Sequence, residues 1–318
     1  MKPPYSISSK ILTLISSISE KIGEINASFL GKPSPQLRKR NKIKTIHSSL
    51  AIEGNSLNEE QITAIIENKR VLGKRKDIIE VNNAIQVYDN LGMFNPYSKR
   101  SFLKAHKILM NKLVNSPGKF RTEEVGIFNE NQITHLAPPA KNVPSLMDDL
   151  FEYIKLSDEP VLIKSSVFHY EMEFIHPFID GNGTMGRLWQ TVILMDSYPV
   201  FEYLPFETLI AQTQNEYYQA LEISDKEGNS TLFIEYMLEV LLKSVNDLIL
   251  SENRRITADE RLEYFLSLTE KVFTRRDYMN VFKNISPATA SRDLKKGVEK
   301  KLFERIGDKN STKYIIKS

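Results

Sequence analysis

The stretch His176-Pro177-Phe178-Ile179-Asp180-Gly181-Asn182-Gly183-Thr184-Met185-Gly186-Arg187 lies between two segments of helical periodicity and sets how the rest is read. Before it, Val167 to Ile175 has helical spacing, and Pro177 ends that helix. After it, Met185, Leu188, Trp189, Val192 and Met195 recur at helical intervals, so a second helix starts near Gly183. Two glycines around Asn182 at a helix N-terminus leave backbone N–H groups unobstructed, a nest suited to phosphate. Asp180 beside it suits a magnesium ion that bridges phosphate oxygens. His176 is placed to take a proton from an attacking hydroxyl at neutral pH. Arg187, one turn into the helix, suits a terminal phosphate. From the residues alone this is a loop for handling a nucleoside triphosphate with a base at hand. The plain alternative is a capped helix–loop–helix corner with a structural histidine. The joint presence of His, acid, Gly-Asn-Gly and Arg favours the first. A metal triad of His169, Glu173 and His176 is weaker, because His169 and His176 stand two helical turns apart.

Working outward, Ile7, Ile11, Leu14, Ile18, Ile22, Ile25 and Phe29 form one apolar stripe of a long helix that Gly31-Lys32-Pro33 ends. The basic stretch Arg38 to Lys44 reads as a solvated helix face. Gly118 to Asn142 holds short extended pieces, turn residues and Pro138-Pro139, and predicts a hairpin or long loop. Apolar periodicity weakens around Glu252 to Thr257, where a domain boundary is expected. The 318 residues are 41% hydrophobic and 26% charged, enough for two or three folded domains. The absence of cysteine excludes a disulfide scaffold, a zinc ribbon and a thiol nucleophile, and fits a cytoplasmic location. No apolar run reaches membrane-spanning length and the start has no signal-like core, so no membrane partner is expected. Charge is uneven: residues 253–318 carry 16 Lys+Arg against 9 Asp+Glu, a balance of +7, and the rest sums to −4.

That basic segment has its own pattern. A short helix from Asp277 to Phe282 is followed by a turn, then a helix capped by Ser286 with Pro287 at its first position. Ala288, Thr289, Ser291, Arg292, Lys295 and Lys296 are expected on its outside, and Leu294 and Val298 toward a core. Two strands around Phe303 and Tyr314 complete a pattern that resembles a winged helix. DNA-binding candidates are Thr289, Ser291, Arg292 and Lys295; docking to a protein is the other use of such a module.

The quoted stretch resembles the signature of the Fic family, His-Pro-Phe-x-Asp/Glu-Gly-Asn-Gly-Arg-x-x-Arg, whose members are mostly adenylyltransferases that move AMP from ATP to a hydroxyl of a target protein. The resemblance implies ATP as donor and Mg2+ as cofactor. It makes His176 the general base and Asp180 the magnesium ligand. Gly181, Asn182, Gly183, Thr184, Met185, Gly186 and Arg187 would contact the nucleotide, with Arg187 on the γ-phosphate. Thr184 stands where the family's first arginine would be, which implies weakened activity or another donor. Tyr217-Tyr218 resembles the adenine side of the pocket. Adjacent helical residues cannot both face one way, so at least one of the two is ordinary packing, and Tyr218 is taken as the nucleotide contact. Ser49-Leu50-Ala51-Ile52-Glu53-Gly54 resembles the family's inhibitory motif, with Ser49, Glu53 and Gly54 as its members and Arg187 as the partner of Glu53. Gly118 to Pro139 resembles the approach to the family's flap, where a target would dock near Phe128 to Pro139 as an added strand.

The expected fold is therefore mainly α: an N-terminal helical region at 1–95, a helical Fic core with a small β-hairpin flap at 96–252, and a winged helix at 253–318. The expected function is a self-inhibited protein adenylyltransferase. The alternative is a DNA-binding regulator whose Fic core binds a nucleotide with little or no transfer. The oligomeric state stays open, a homodimer being one arrangement.

Overall fold

The computed structural model describes residues 3–28, 35–129, 132–253, 257–268, 272–282, 285–307 and 312–316. It divides into two compact units, Met1–Leu250 and Ser251–Ser318. The regions 1–95 and 96–250 are not separate in packing, because one hydrophobic core runs from Ile11 to Leu248.

The first unit begins with helix α1 (Ser9–Ser28), whose Ile11, Leu14, Ile18, Ile22 and Ile25 are all buried. Ile7 precedes the helix and is exposed, because the Ser8 hydroxyl accepts the Ile11 N–H and starts the helix one turn late. Phe29 and the Gly31-Lys32-Pro33 terminator lie outside the described residues. Helix α2 (Pro35–Ile52) carries the basic stretch and ends over Gly54, whose φ of +87° is the left-handed conformation that favours glycine. Next come α3 (Glu59–Ile66), α4 (Arg75–Tyr88) and α5 (Lys99–Leu109). The Gly118–Asn142 stretch forms an antiparallel hairpin, β1 (Gly126–Asn129) with β2 (Gln132–Leu136).

Helices α6 (Val143–Leu156), α7 (Val161–Ile175) and α8 (Asn182–Ser197) follow. The α7–α8 pair is the centre of the unit, and every residue of α8 from Thr184 to Leu194 is buried. A helix buried on all sides is held by packing rather than by its own propensity. Trp189 meets Phe102 edge-on at 5.1 Å and Phe102 stacks on Phe178 at 5.5 Å, so the loop between the two helices is anchored in the aromatic core. Helices α9 (Phe206–Gln212), α10 (Gln214–Glu227) and α11 (Thr231–Asn253) complete the unit.

The second unit holds α12 (Ala258–Leu268), β3 (Val272–Phe273), α13 (Arg275–Val281), α14 (Pro287–Glu299), β4 (Phe303–Ile306) and β5 (Lys313–Ile316). Its strands form an antiparallel sheet in the order β3-β5-β4. Thr274 and Asp277 form a capping box that starts α13 at Arg275, ahead of the expected Asp277. Ser286 caps α14 with Pro287 in its first turn. Leu262, Phe265, Phe273, Tyr278, Leu294 and Phe303 make a separate core. No helix among the described residues is long and apolar enough to cross a membrane.

Candidate active site

The connection from α7 to α8 is built from backbone strain and a closed loop. His176 caps α7 in the left-handed conformation (φ 49°, ψ 59°), which costs a non-glycine residue free energy that the surroundings must supply. Three carbonyls at this point are held by one side chain. Buried Arg121 donates from Nε to the His176 carbonyl at 2.8 Å and from Nη2 to the Ile175 and Pro138 carbonyls, and its own N–H binds the Pro177 carbonyl at 2.8 Å. Arg121 thereby ties the foot of the hairpin to the loop. Asn182 closes the loop from within: its Oδ1 accepts the Phe178 N–H and its Nδ2 donates to the Phe178 carbonyl, both at 2.9 Å.

His106 supports the other side. Its ring stacks on Phe178 with centroids 3.6 Å apart, Nδ1 accepts the Gly118 N–H at 2.8 Å, and Nε2 donates to the Asp180 carbonyl at 3.1 Å. Burial pushes its pKa down to about 4, so it is a neutral positioning residue. Gly181 has a φ of +82°, and a Cβ there would also press on Met110 Sδ at 2.7 Å, so only glycine fits. The Asp180 carboxylate is exposed and accepts the Gly181 N–H through Oδ1 at 2.7 Å. One carboxylate with its remaining lone pairs open to solvent fits a magnesium ion that completes its shell with phosphate oxygens and water. Among the described residues no three His, Cys, Asp or Glu side chains converge as a metal-holding group. That corrects the triad alternative, because His169 and Glu173 belong to a buried network instead. His169 lies 2.7 Å from Gln190 Oε1 and 3.0 Å from the Tyr217 hydroxyl, which donates to Glu173 Oε1 at 3.2 Å.

Helix α8 starts at Asn182, so its first N–H groups point out of the helix end with no intrahelical partner. Arg187 is fully buried one turn on. Its Nε donates to Ser49 Oγ at 3.1 Å, and Nη2 donates to the Ser49 carbonyl at 2.9 Å and to Glu53 Oε1 at 2.7 Å. The same Glu53 oxygen lies so close over Gly183 that a Cβ there would collide with it. Helix α2 thus lays a carboxylate across the N-terminus of α8, beside the buried cation. Burial works against the charge on Arg187, but Glu53, Tyr217 and Glu173 outweigh it and raise its pKa. Its Nη1, also buried, has no hydrogen-bond partner among the described residues. Burial first, then the charge of Glu53, pushes the Glu173 carboxyl up to about 7.

Of the sequence candidates, His176, Asp180, Gly181, Asn182, Gly183, Arg187, Ser49 and Glu53 come together here. Thr184 is buried in the first turn of α8. Met185 is corrected: its side chain is wholly in the core and its N–H binds the Gly181 carbonyl, so neither faces a nucleotide. Gly186 faces inward, where a Cβ would lie 2.8 Å from His169 Cδ2. Tyr217 is buried and Tyr218 is exposed, its hydroxyl accepting from Gln214 Nε2, which also reaches the Ile52 carbonyl beside Glu53. The sequence gives no sign of His106, offers Glu173 only as a metal ligand, and places Arg121 only in the approach to the flap. The roles of all three depend on partners distant in sequence: Asp180 for His106, His176 for Arg121 and Tyr217 for Glu173.

The Fic/DOC family profile matches residues 96–194, which include the loop. A crystal structure of a Fic family protein from Desulfovibrio desulfuricans is 37% identical, with a TM-score of 0.76 over 100% of this chain and 99% of its own. Protein adenylyltransferase fic-1 of Caenorhabditis briggsae is 27% identical over 238 residues, 68% of this chain and 45% of its own length. Protein adenylyltransferase Fic of Nematostella vectensis is 24% identical over 253 residues, 74% of this chain and 57% of its own. The chain therefore spans about half the length of these curated relatives. Identity at this level across two whole chains, with the loop geometry in place, means that the chain belongs to the Fic family.

Proposed function

We propose that this protein transfers AMP from ATP to a hydroxyl side chain of a protein target, and that α2 holds it in a self-inhibited state. One observation carries the proposal: a buried arginine aims an unpartnered Nη1 at the N-terminus of a helix whose N–H groups form an anion cradle, with His176 and Asp180 at the other end of the same loop. A buried donor without a partner calls for a ligand atom, and a phosphate oxygen supplies one with charge assistance. The adenylyltransferase names of the relatives point the same way.

In this scheme Gly181, Asn182, Gly183 and Arg187 hold the phosphates, and Tyr218 flanks the base. Asp180 would hold a magnesium ion, which when bound neutralises phosphate charge. His176 accepts the proton of the target hydroxyl as its oxygen bonds to the α-phosphorus and pyrophosphate departs. The left-handed backbone at His176, held by Arg121, fixes where the imidazole stands. The target segment pairs with the open edge of the β1–β2 hairpin as an added strand, and Arg121 connects that hairpin to the loop. Thr184 places no cation where the family signature has one, a loss of about 1.5–3 kcal/mol of phosphate binding, so turnover is expected to be slow.

Inhibition follows from occupancy: Glu53 takes the Arg187 Nη2 donor and stands over Gly183, where a γ-phosphate would have to come. With labelled ATP and magnesium, Glu53→Gly is expected to raise transfer to lysate protein or to the chain itself. Adding His176→Ala is expected to remove transfer by ~10²–10⁴-fold while ATP affinity stays within a few-fold. Equal labelling by wild type and Glu53→Gly overturns the inhibitory role. Transfer that survives the loss of His176 overturns the enzyme.

A further inference from the structure

We infer that the second unit is a double-stranded DNA-binding module. The outer face of α14 would enter the major groove through Thr289, Arg292 and Lys295, while Arg275 and Arg276 hold flanking phosphates. The inference is independent of the transferase chemistry and rests on how this unit distributes its charges. Helix α14 buries Ala290, Asp293, Leu294 and Gly297 against its core, so Arg292 and Lys295 stand on the opposite side, exposed to solvent.

Three acids near that side are committed elsewhere, and among the described residues Glu299 alone stands on it. Asp293 points inward, where Arg261 grips it with Nε at 2.7 Å and Nη2 at 3.0 Å, and Tyr278 donates to it at 3.2 Å. Asp259 takes Lys296 at 3.0 Å and Lys300 at 2.9 Å. Asp277 is consumed by the Thr274 N–H and hydroxyl, both at 2.8 Å. Among the described residues Arg275, Arg276 and Arg292 have no ion pair, and Lys295 has only Glu299 at 4.0 Å. Hydroxyls gather two of the cations on one surface: Arg275 reaches from α13 to Ser291 Oγ at 3.1 Å, and Arg292 leans back to Thr289 Oγ1 at 3.4 Å.

The arrangement of elements matches that charge. A short helix, a turn and a second helix are followed by an antiparallel hairpin, and the second helix of such a pair presents its N-terminal residues to base edges. The large apolar residues exposed in this unit among the described residues, Val272, Leu302, Ile306 and Ile315, lie on or beside the strands and none is on α14. A surface with arginines and hydroxyls but no large apolar side chain suits a polyanion, because phosphate contacts supply most of the affinity.

The test is fluorescence anisotropy of a labelled mixed-sequence DNA duplex with the full chain over a salt series. Binding is expected to weaken steeply with salt. Arg275→Ala/Arg276→Ala and Arg292→Ala/Lys295→Ala are each expected to lower affinity at least about tenfold, and to flatten the log-affinity against log-salt slope by about 0.9 per lost phosphate contact. These side chains are exposed, and unchanged melting curves check that the variants fold. Arg70→Ala/Lys141→Ala, which removes two exposed cations of the first unit, is expected to change nothing. Three results overturn the inference: no duplex binding at low salt, equal loss in the Arg70/Lys141 control, or an equal or stronger preference for single-stranded RNA.

Discussion

Gly183 shows how little room there is between Glu53 and the first turn of α8. A Cβ there would run into Glu53 Oε1 and lie 3.1 Å from Arg187 Nη1. Gly183→Ala is therefore expected to push the Glu53 carboxylate off Arg187 and to cost about 1–3 kcal/mol. Once Glu53→Gly has removed the obstructing oxygen, the same methyl meets only a guanidinium edge and the cost shrinks. A double-mutant cycle by denaturant unfolding is expected to give a coupling of about 0.5–3 kcal/mol between positions 53 and 183. Strict additivity would mean that Glu53 does not cover the helix end in solution. In the proposed scheme the same crowding lets one residue serve two states: without a side chain at 183, either a carboxylate or a phosphate oxygen could approach the N–H groups.

Helix α2 brings Glu53 to this place because it is fastened along its length to neighbours late in the chain. Asn41 Nδ2 donates to the Tyr203 carbonyl at 2.9 Å, Ser48 Oγ donates to Thr208 Oγ1 at 3.1 Å, and Gln214 Nε2 donates to the Ile52 carbonyl at 3.3 Å. Behind them Glu207 is wholly buried on α9, with the Tyr88 hydroxyl 3.5 Å from Oε1 and, among the described residues, no hydrogen-bond partner for Oε2. Burial pushes its carboxyl up to about 8, against the pull of Arg187 and Tyr88. An unfolded glutamate releases its proton near pH ~4.3 while the folded one keeps it to about pH 8. The folded state thus binds the extra proton over that window, and stability falls as pH rises through it, then levels off. Glu171 and Glu173, each pushed up to about 7, act with the same sign. Glu207→Gln has no proton to lose, so its stability is expected to gain on wild type from about pH 5 to about pH 8, by on the order of 4 kcal/mol, read as a rising difference in melting temperature. Parallel pH profiles would place a charged Glu207 in the folded protein. Sequence patterns caught what is local here: the helical spacing on both sides of the loop, the glycines, and the Ser49–Glu53 interval. They missed Glu207, and also His106, which meets Asp180 across 74 residues. Such residues acquire their roles only when distant elements pack, and a buried carboxyl has no spacing signature.

Over the whole molecule, two hydrophobic cores share no residue, and the basic charge belongs to the smaller unit. The smaller core depends on few side chains. Phe303 sits against Gly297, where any Cβ would collide with its ring, and meets Phe273 at 5.1 Å and Tyr314 at 5.4 Å. Removing such a ring costs about 3–5 kcal/mol, comparable with the whole stability of a small unit. Phe303→Ala is therefore expected to erase one calorimetric transition and the duplex binding, because α14 would lose the surface that orients Arg292 and Lys295. In the Glu53→Gly background it is expected to leave the other transition and the transfer of label in place, since His176, Asp180 and Arg187 are all positioned by residues of the first core. Loss of label transfer with the smaller unit would mean that the two cores do not stand independently. The His176–Arg187 loop would then owe part of its order to residues beyond 250.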